Sequence, residues 1–353
     1  MKIHHDKALI SFASDNYSGI HPDVLEAIEI ANGGHQGAYG ADKYTEHLSS
    51  LIKGIFGQEA EVFPMFNGTG SNIVALSAIL KKYQGVIALN ISHLNVDEGN
   101  GPERVGGFKI LPIIHVDGKV TVENLKTQAW GFDDVHRAQP GAITITQGTE
   151  LGTLYSCEEI KEISIFAKAN NLFLHLDGAR IFNACASLGV SLSEMIVDTG
   201  VDIFTLGGTK NGVMGGEAIV VINPDCLPGV ERLRKSSMQL ASKMRFVSAQ
   251  LISLLENDLG IKNATQANLM ALELYEATHL LPGVTITAKP EANAVFAVIS
   301  PGLREKLQSR YSFYVWDESR DLVRWMTSWD TQPTDIEEFV DYLKLCLYQG
   351  DLK

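Results

Sequence analysis

His175-Leu176-Asp177-Gly178-Ala179-Arg180 places an acid where an apolar run ends. Thirty-three positions beyond that aspartate, Gly207-Gly208-Thr209-Lys210-Asn211-Gly212 sets a lysine among glycines after a second apolar run. An aspartate and a lysine arranged in this way suit pyridoxal-phosphate chemistry. The acid keeps a pyridine nitrogen protonated so that the ring can accept electrons, and the lysine carries the cofactor as a Schiff base. Each half alone also has a plain reading, the aspartate as the start of a loop and Gly-Gly-Thr-Lys as a surface turn. Their order, with room between them for one helix and one strand, favours the cofactor. A third element, Asn67-Gly68-Thr69-Gly70-Ser71-Asn72, lies between an apolar strand and the helical pattern of Ile73, Leu76, Ala78 and Leu80. Glycines allow close approach to an anion, and a helix start favours a phosphate there. No Lys-Ser/Thr follows, so this is not the nucleotide P-loop, and an ordinary strand-to-helix turn is the alternative.

The elements that must position these motifs alternate between β-branched runs and helical patterns, which predicts βαβ units and a mostly parallel sheet. Strands are expected at 61–65, 86–89, 142–146, 172–177, 202–206 and 218–222. Between the third and fourth, Ser156 and Glu159 form a capping box, Ile160, Ile163, Phe166 and Ala167 make one apolar face, and Asn170-Asn171 ends the helix. Asp177 therefore falls at the carboxyl end of a strand, the edge where open α/β sheets bind ligands. After Pro228 the pattern changes. A long helix over about 232–255 reads as a bridge to a smaller α+β unit with strands near 284–287, 293–299, 312–316 and 322–328. A last helix, capped by Thr334 and Glu337, would bury Ile336, Val340, Leu343 and Leu347. The expected fold class is α/β, with a large domain over 1–251 and a small C-terminal domain over 252–353.

With 353 residues, 45% hydrophobic and 20% charged, the chain has the length of two globular domains and an ordinary soluble composition. A net charge of −13 opposes non-specific attraction to nucleic acid or anionic membranes. The opening Met1-Lys2-Ile3-His4-His5-Asp6 lacks a signal-peptide core, and no apolar run is long enough to span a bilayer, so the default expectation is a cytoplasmic protein. Cys157, Cys185, Cys226 and Cys346 are scattered and read as reduced thiols, with no disulfide framework and no metal site.

Ser14-Asp15-Asn16-Tyr17-Ser18-Gly19, Ala38-Tyr39-Gly40, Phe66-Asn67-Gly68-Thr69, the Asp177 and Lys210 motifs, Leu240-Ala241-Ser242-Lys243-Met244-Arg245-Phe246 and Arg324-Trp325-Met326-Thr327-Ser328-Trp329-Asp330 together resemble the low-specificity L-threonine aldolases. The resemblance runs through nearly the whole chain in one register. It implies a fold-type I pyridoxal-phosphate enzyme that cleaves threonine and allo-threonine to glycine and acetaldehyde, working as a dimer or tetramer on a small amino-acid substrate. A β-eliminating lyase, or another amino-acid lyase on the same scaffold, is the alternative.

Carried over residue by residue, the resemblance makes Lys210 the Schiff-base lysine and Asp177 the partner of the pyridine nitrogen. Arg180 would bond the ring's phenolic oxygen. Gly68 and Thr69 match the phosphate turn, with Arg245 reaching the phosphate from a neighbouring subunit, although Lys243 and Arg245 also suit a solvated helix face. Arg324 interrupts the face shared by Leu322 and Met326, an expensive place for a charge without a partner. The family supplies the substrate carboxylate as that partner, with Ser14, Tyr39 and Gln147 as further substrate contacts; an outward-facing strand arginine is the alternative. His93 matches a histidine stacked on the ring and His136 a second one near the substrate side chain. Either of them, or a bound water, could take the β-hydroxyl proton. Asp97 and Glu98 read as structural. Thr146-Gln147-Gly148-Thr149-Glu150 stands where many members carry Asn-Thr-His.

Overall fold

The computed structural model describes residues 5–348; the opening residues Met1–His4 lie outside them. The described chain packs as two units, one over residues 20–262 and one made of the residues up to Gly19 together with those from Asn263 onward.

The larger unit is built on seven strands: β1 (Glu61–Met65), β2 (Gln84–Leu89), β3 (Lys109–Ile113), β4 (Gln139–Thr146), β5 (Phe173–Gly178), β6 (Ile203–Gly207) and β7 (Glu217–Val221). Their order is β1-β7-β6-β5-β4-β2-β3. Neighbours from β3 to β6 pair in parallel, and β7 runs antiparallel to both β6 and β1, so six strands point one way. The alternation of apolar runs and helical patterns thus reflects a mostly parallel sheet covered by helices. All of β6 and β7 is buried, as expected of central strands. The edge strand β3 has no counterpart among the expected strands. Its Pro112 breaks the β pattern, and an edge position tolerates the missing N–H.

The helix Gly68–Ile79 crosses one face, where Val74, Ala75, Leu76 and Ile79 join Met65, Val86, Ala88, Ile219 and Val221 in a single apolar cluster. The helix Cys157–Ala169 starts at the expected capping box, with Ser156 accepting the Glu159 N–H and Glu159 reaching back to the Ser156 N–H. No single helix spans 232–255, contrary to the pattern. The chain instead forms Val230–Ser236 and Arg245–Leu255, separated by an irregular segment in which Met238 is left-handed at φ 61°. A separate helix, Leu259–Thr278, follows.

The smaller unit carries a four-stranded antiparallel sheet of β8 (Val284–Ile286), β9 (Ala294–Ile299), β10 (Tyr314–Asp317) and β11 (Leu322–Met326), in the order β10-β11-β9-β8. Trp325, Phe339, Phe12, Tyr311 and Leu274 anchor its core. The closing helix Pro333–Tyr348 buries Ile336, Phe339, Val340, Leu343 and Cys346. Leu347, expected among them, is only partly buried, because Phe339 and Cys346 share the inward stripe. No described helix is long and apolar enough to cross a membrane.

Candidate active site

Asp177 and Lys210 leave neighbouring strands at the same edge of the sheet, since β5 and β6 are parallel with Asp177 opposite Thr205 and Gly178 opposite Leu206. Glycine makes the approach possible. A Cβ on Gly207 would lie 2.6–2.8 Å from the Ala179 backbone, and one on Gly178 would lie 2.3 Å from the Thr205 carbonyl oxygen. Any side chain at either position would push the two exits apart. Lys210 sits in a short 3-10 turn, Thr209–Asn211, directly after β6.

The Asp177 carboxylate is buried, and both of its oxygens are engaged. Oδ1 accepts the Ala179 N–H at 3.0 Å and Oδ2 accepts Asn72 Nδ2 at 2.8 Å. The other Nδ2 hydrogen of Asn72 goes to Glu98 Oε1 at 3.0 Å, while Asn72 Oδ1 accepts the Thr205 hydroxyl at 2.8 Å. Carboxylates only accept, which fixes the orientation of this amide. Glu98 in turn meets His93 Nδ1 at 3.1 Å. That hydrogen bond is the main reason the His93 imidazole is held above its ordinary range, against the lowering effect of burial; the charges of Asp177 and Glu98 add to it and Lys210 opposes it. Burial pushes the Glu98 carboxyl up, and its Oε2 has no hydrogen-bond partner among the described residues.

The His93 backbone is fixed as well. Its N–H donates to Glu150 Oε1 at 2.9 Å, which also accepts the Thr146 hydroxyl. Burial raises the Glu150 carboxyl, and its Oε2 lacks a partner among the described residues. Beneath Asp177 on β5, His175 is fully buried with Nδ1 2.8 Å from the Thr144 hydroxyl. Burial drives His175 down to about 4, so it is a neutral imidazole near neutral pH.

These residues fit pyridoxal phosphate. Asn67 caps the helix Gly68–Ile79 by accepting the Gly70 N–H at 2.7 Å, while the Gly68 and Thr69 N–H groups at the helix start have no acceptor among the described residues. Two amides at a helix N-terminus are a phosphate donor set. Arg245 opens the helix Arg245–Leu255. Its Nη1 reaches the Gly34 carbonyl only at 3.4 Å, and its buried Nε has no partner among the described residues. Arg180 is half-buried directly ahead of the helix Ile181–Leu188.

Tyr39 is exposed with φ 58°, its N–H on the Ser242 carbonyl and its ring 4.6 Å from Lys235 Nζ. In the smaller unit, Ser14 and Arg324 come together. Arg324 Nη2 donates to the carbonyl of Ala13, and the guanidinium lies 4.8 Å from the Trp316 ring centroid and 5.6 Å from that of Tyr314. Ser14 Oγ accepts the Asn16 N–H. Arg324 therefore occupies the face of Leu322, Phe296 and Met326, covered by aromatic rings.

Two expected residues are placed elsewhere. Gln147 is fully buried and its amide is consumed internally. Nε2 donates to the Tyr155 carbonyl and Met195 Sδ, and Oε1 accepts the Tyr155 N–H, which leaves no donor for a substrate. His136 is exposed and precedes β4, while Asp177 pairs with Thr146 at the far end of that strand. Eight residues of strand at ~3.3 Å each separate the two edges by roughly 25 Å, so His136 does not serve the Lys210 of its own chain. Glu98, read as structural, instead orients His93. Asn72 and Glu150 lie within the stretches 67–72 and 146–150, but nothing in the sequence marks either as a partner of Asp177 or His93. Their only signal is a polar side chain inside or beside an apolar pattern, without an indication of its partner.

The beta-eliminating lyase family model matches residues 11–301. The low specificity L-threonine aldolase of Pseudomonas aeruginosa is 40% identical over 95% of this chain and 97% of its own. The Escherichia coli K12 protein of the same description is 28% identical over 76% of this chain and 80% of its own. The solved threonine aldolase of Leishmania major superposes with a TM-score of 0.89 at 27% identity, covering 95% of this chain and 98% of that one.

Proposed function

This chain belongs to the beta-eliminating lyase family, alongside the low-specificity L-threonine aldolases, and from that membership we propose that it cleaves L-threonine, L-allo-threonine and related β-hydroxy-α-amino acids to glycine and an aldehyde, with pyridoxal phosphate as cofactor. The observation that carries the reading is the placement of Asp177 and Lys210 at adjacent strand exits, with Asp177 joined through Asn72 and Glu98 to His93. Pyridoxal phosphate bound there supplies a sink for the electron pair left on Cα when the Cα–Cβ bond breaks.

Lys210 Nζ would be the covalent attachment point, and Gly68 and Thr69, with Arg245 from a neighbouring subunit, would hold the phosphate. Asp177, locked by Ala179 and Asn72, would keep a proton on the pyridine nitrogen, and Arg180 would bond the phenolic oxygen. His93 is tethered at its backbone and at Nδ1, which leaves Nε2 as the ring nitrogen able to take the β-hydroxyl proton. Arg324 and Ser14 bind the substrate carboxylate, and the planar guanidinium sets which bond at Cα is broken. A role for His136, as for Arg245, belongs to the site of a second copy, so the proposed working assembly is a homodimer or homotetramer.

Incubation with L-threonine tests the proposal. Glycine and acetaldehyde in equal amounts support aldol cleavage, whereas 2-oxobutanoate and ammonia would establish β-elimination instead. Lys210→Ala is expected to abolish turnover. Borohydride reduction followed by peptide mapping is expected to find the cofactor on Lys210, and a label on another lysine would overturn the site.

A further inference from the structure

Glu217 is the one charged residue in the buried strand β7, opposite Gly207 on β6 and Met65 on β1. A carboxylate buried in a sheet is costly unless its oxygens find donors. Here both do. Oε2 accepts the Gly208 N–H at 3.1 Å and Oε1 accepts the Thr209 N–H at 3.2 Å. Thr209 Oγ1 accepts the Gly216 N–H at 3.2 Å and closes the turn against the start of β7. These two amides immediately precede Lys210. Burial pushes the Glu217 carboxyl up to about 7, opposed by the Thr209 and Gly208 contacts and by Lys210, the charged group facing it among the described residues.

We propose that Glu217 is a positioning residue for Lys210, its carboxylate clamping the backbone of the turn that carries the lysine and its charge strengthening the hold of the lysine nitrogen on its proton. The inference rests on the reading of Lys210 as the cofactor-bearing lysine. Two bonds to consecutive amides fix the direction in which the next residue leaves the strand. A negative charge beside an amine nitrogen favours its protonated form. When pH crosses the Glu217 range, that charge is gained or lost, so the turn couples the proton inventory of the sheet interior to Lys210.

The test uses holoenzyme, with the lysine first identified by borohydride reduction and peptide mapping. The visible absorbance of bound cofactor is titrated with pH in wild type, Glu217→Gln and Glu217→Asp. Glu217→Gln, which removes the charge, is expected to lower the titration midpoint by about one unit. Glu217→Asp is expected to keep the midpoint near wild type, but to slow the rebinding of pyridoxal phosphate to apoprotein several-fold, because the shorter side chain retreats from the two amides. An unchanged midpoint in Glu217→Gln with Lys210 labelled would overturn the proposal and leave the function standing; a label on another lysine would overturn the reading beneath it. Should Glu217→Gln not fold, Glu217→Asp decides: rebinding as fast as wild type would refute the clamp.

Discussion

Asn72→Asp is nearly isosteric and so opens no cavity, yet it removes the two donors that bridge Asp177 Oδ2 at 2.8 Å and Glu98 Oε1 at 3.0 Å. A buried hydrogen bond to a charged group contributes about 1.5–3 kcal/mol, so losing both costs on the order of 3–6 kcal/mol before any relief. The relief is protonation. A third carboxyl within bonding distance of two others has its pKa raised, and the proton it takes up restores one donor. That proton is held in the folded state and not in the unfolded one, so the variant loses stability as pH rises through the raised value. The gap between Asn72→Asp and wild-type apoprotein is therefore smaller at pH 5 than at pH 8. Urea unfolding followed by circular dichroism at both values measures it, with the slopes compared to confirm the same unfolding reaction. Pyridoxal phosphate affinity at pH 8 should fall at least about tenfold, because Asp177 loses one of its two anchors. A gap under about 1 kcal/mol, equal at the two pH values, would refute the bridging role of the amide.

Glu98→Gln replaces the charged acceptor of the bond that chiefly raises His93 by a neutral one, so the acid limb of the kcat/KM profile should move to lower pH; an unmoved limb excludes His93 as the titrating base. Arg324→Lys keeps the charge but loses the planar fork and its bond to the Ala13 carbonyl; kcat/KM for threonine should fall roughly 30- to 1,000-fold with cofactor absorbance intact, and wild-type kinetics would place the carboxylate elsewhere. Gly207→Ala forces a methyl to within 2.6 Å of the Ala179 backbone, which should cost about 1–3 kcal/mol of stability and weaken cofactor binding; an unchanged dissociation constant would show that the two strand exits need not touch.

The amino-acid sequence by itself determined the parts whose cause is local. β-branched runs separated by helical periods mark strands buried on both faces, and Asp177 and Lys210 are legible because each directly follows such a run. The Ser156–Glu159 box is likewise readable, since its bonding groups lie three residues apart. Local pattern misleads where a turn interrupts a helical period: residues 232–255 read as one helix but split around the left-handed Met238.

Only the tertiary structure decided which polar side chains meet. Asn72 reaches Asp177 across 105 positions of chain, and the His93 N–H reaches Glu150 across 57. Those encounters follow from strand order and register, which periodicity does not encode. The same order put His136 at the amino edge of β4 and turned the Gln147 amide inward to Tyr155. A residue type states what a side chain can donate or accept; which partner it finds is set by the sheet that brings distant segments within 3 Å, and in a buried site that partner decides the proton affinity on which the chemistry depends.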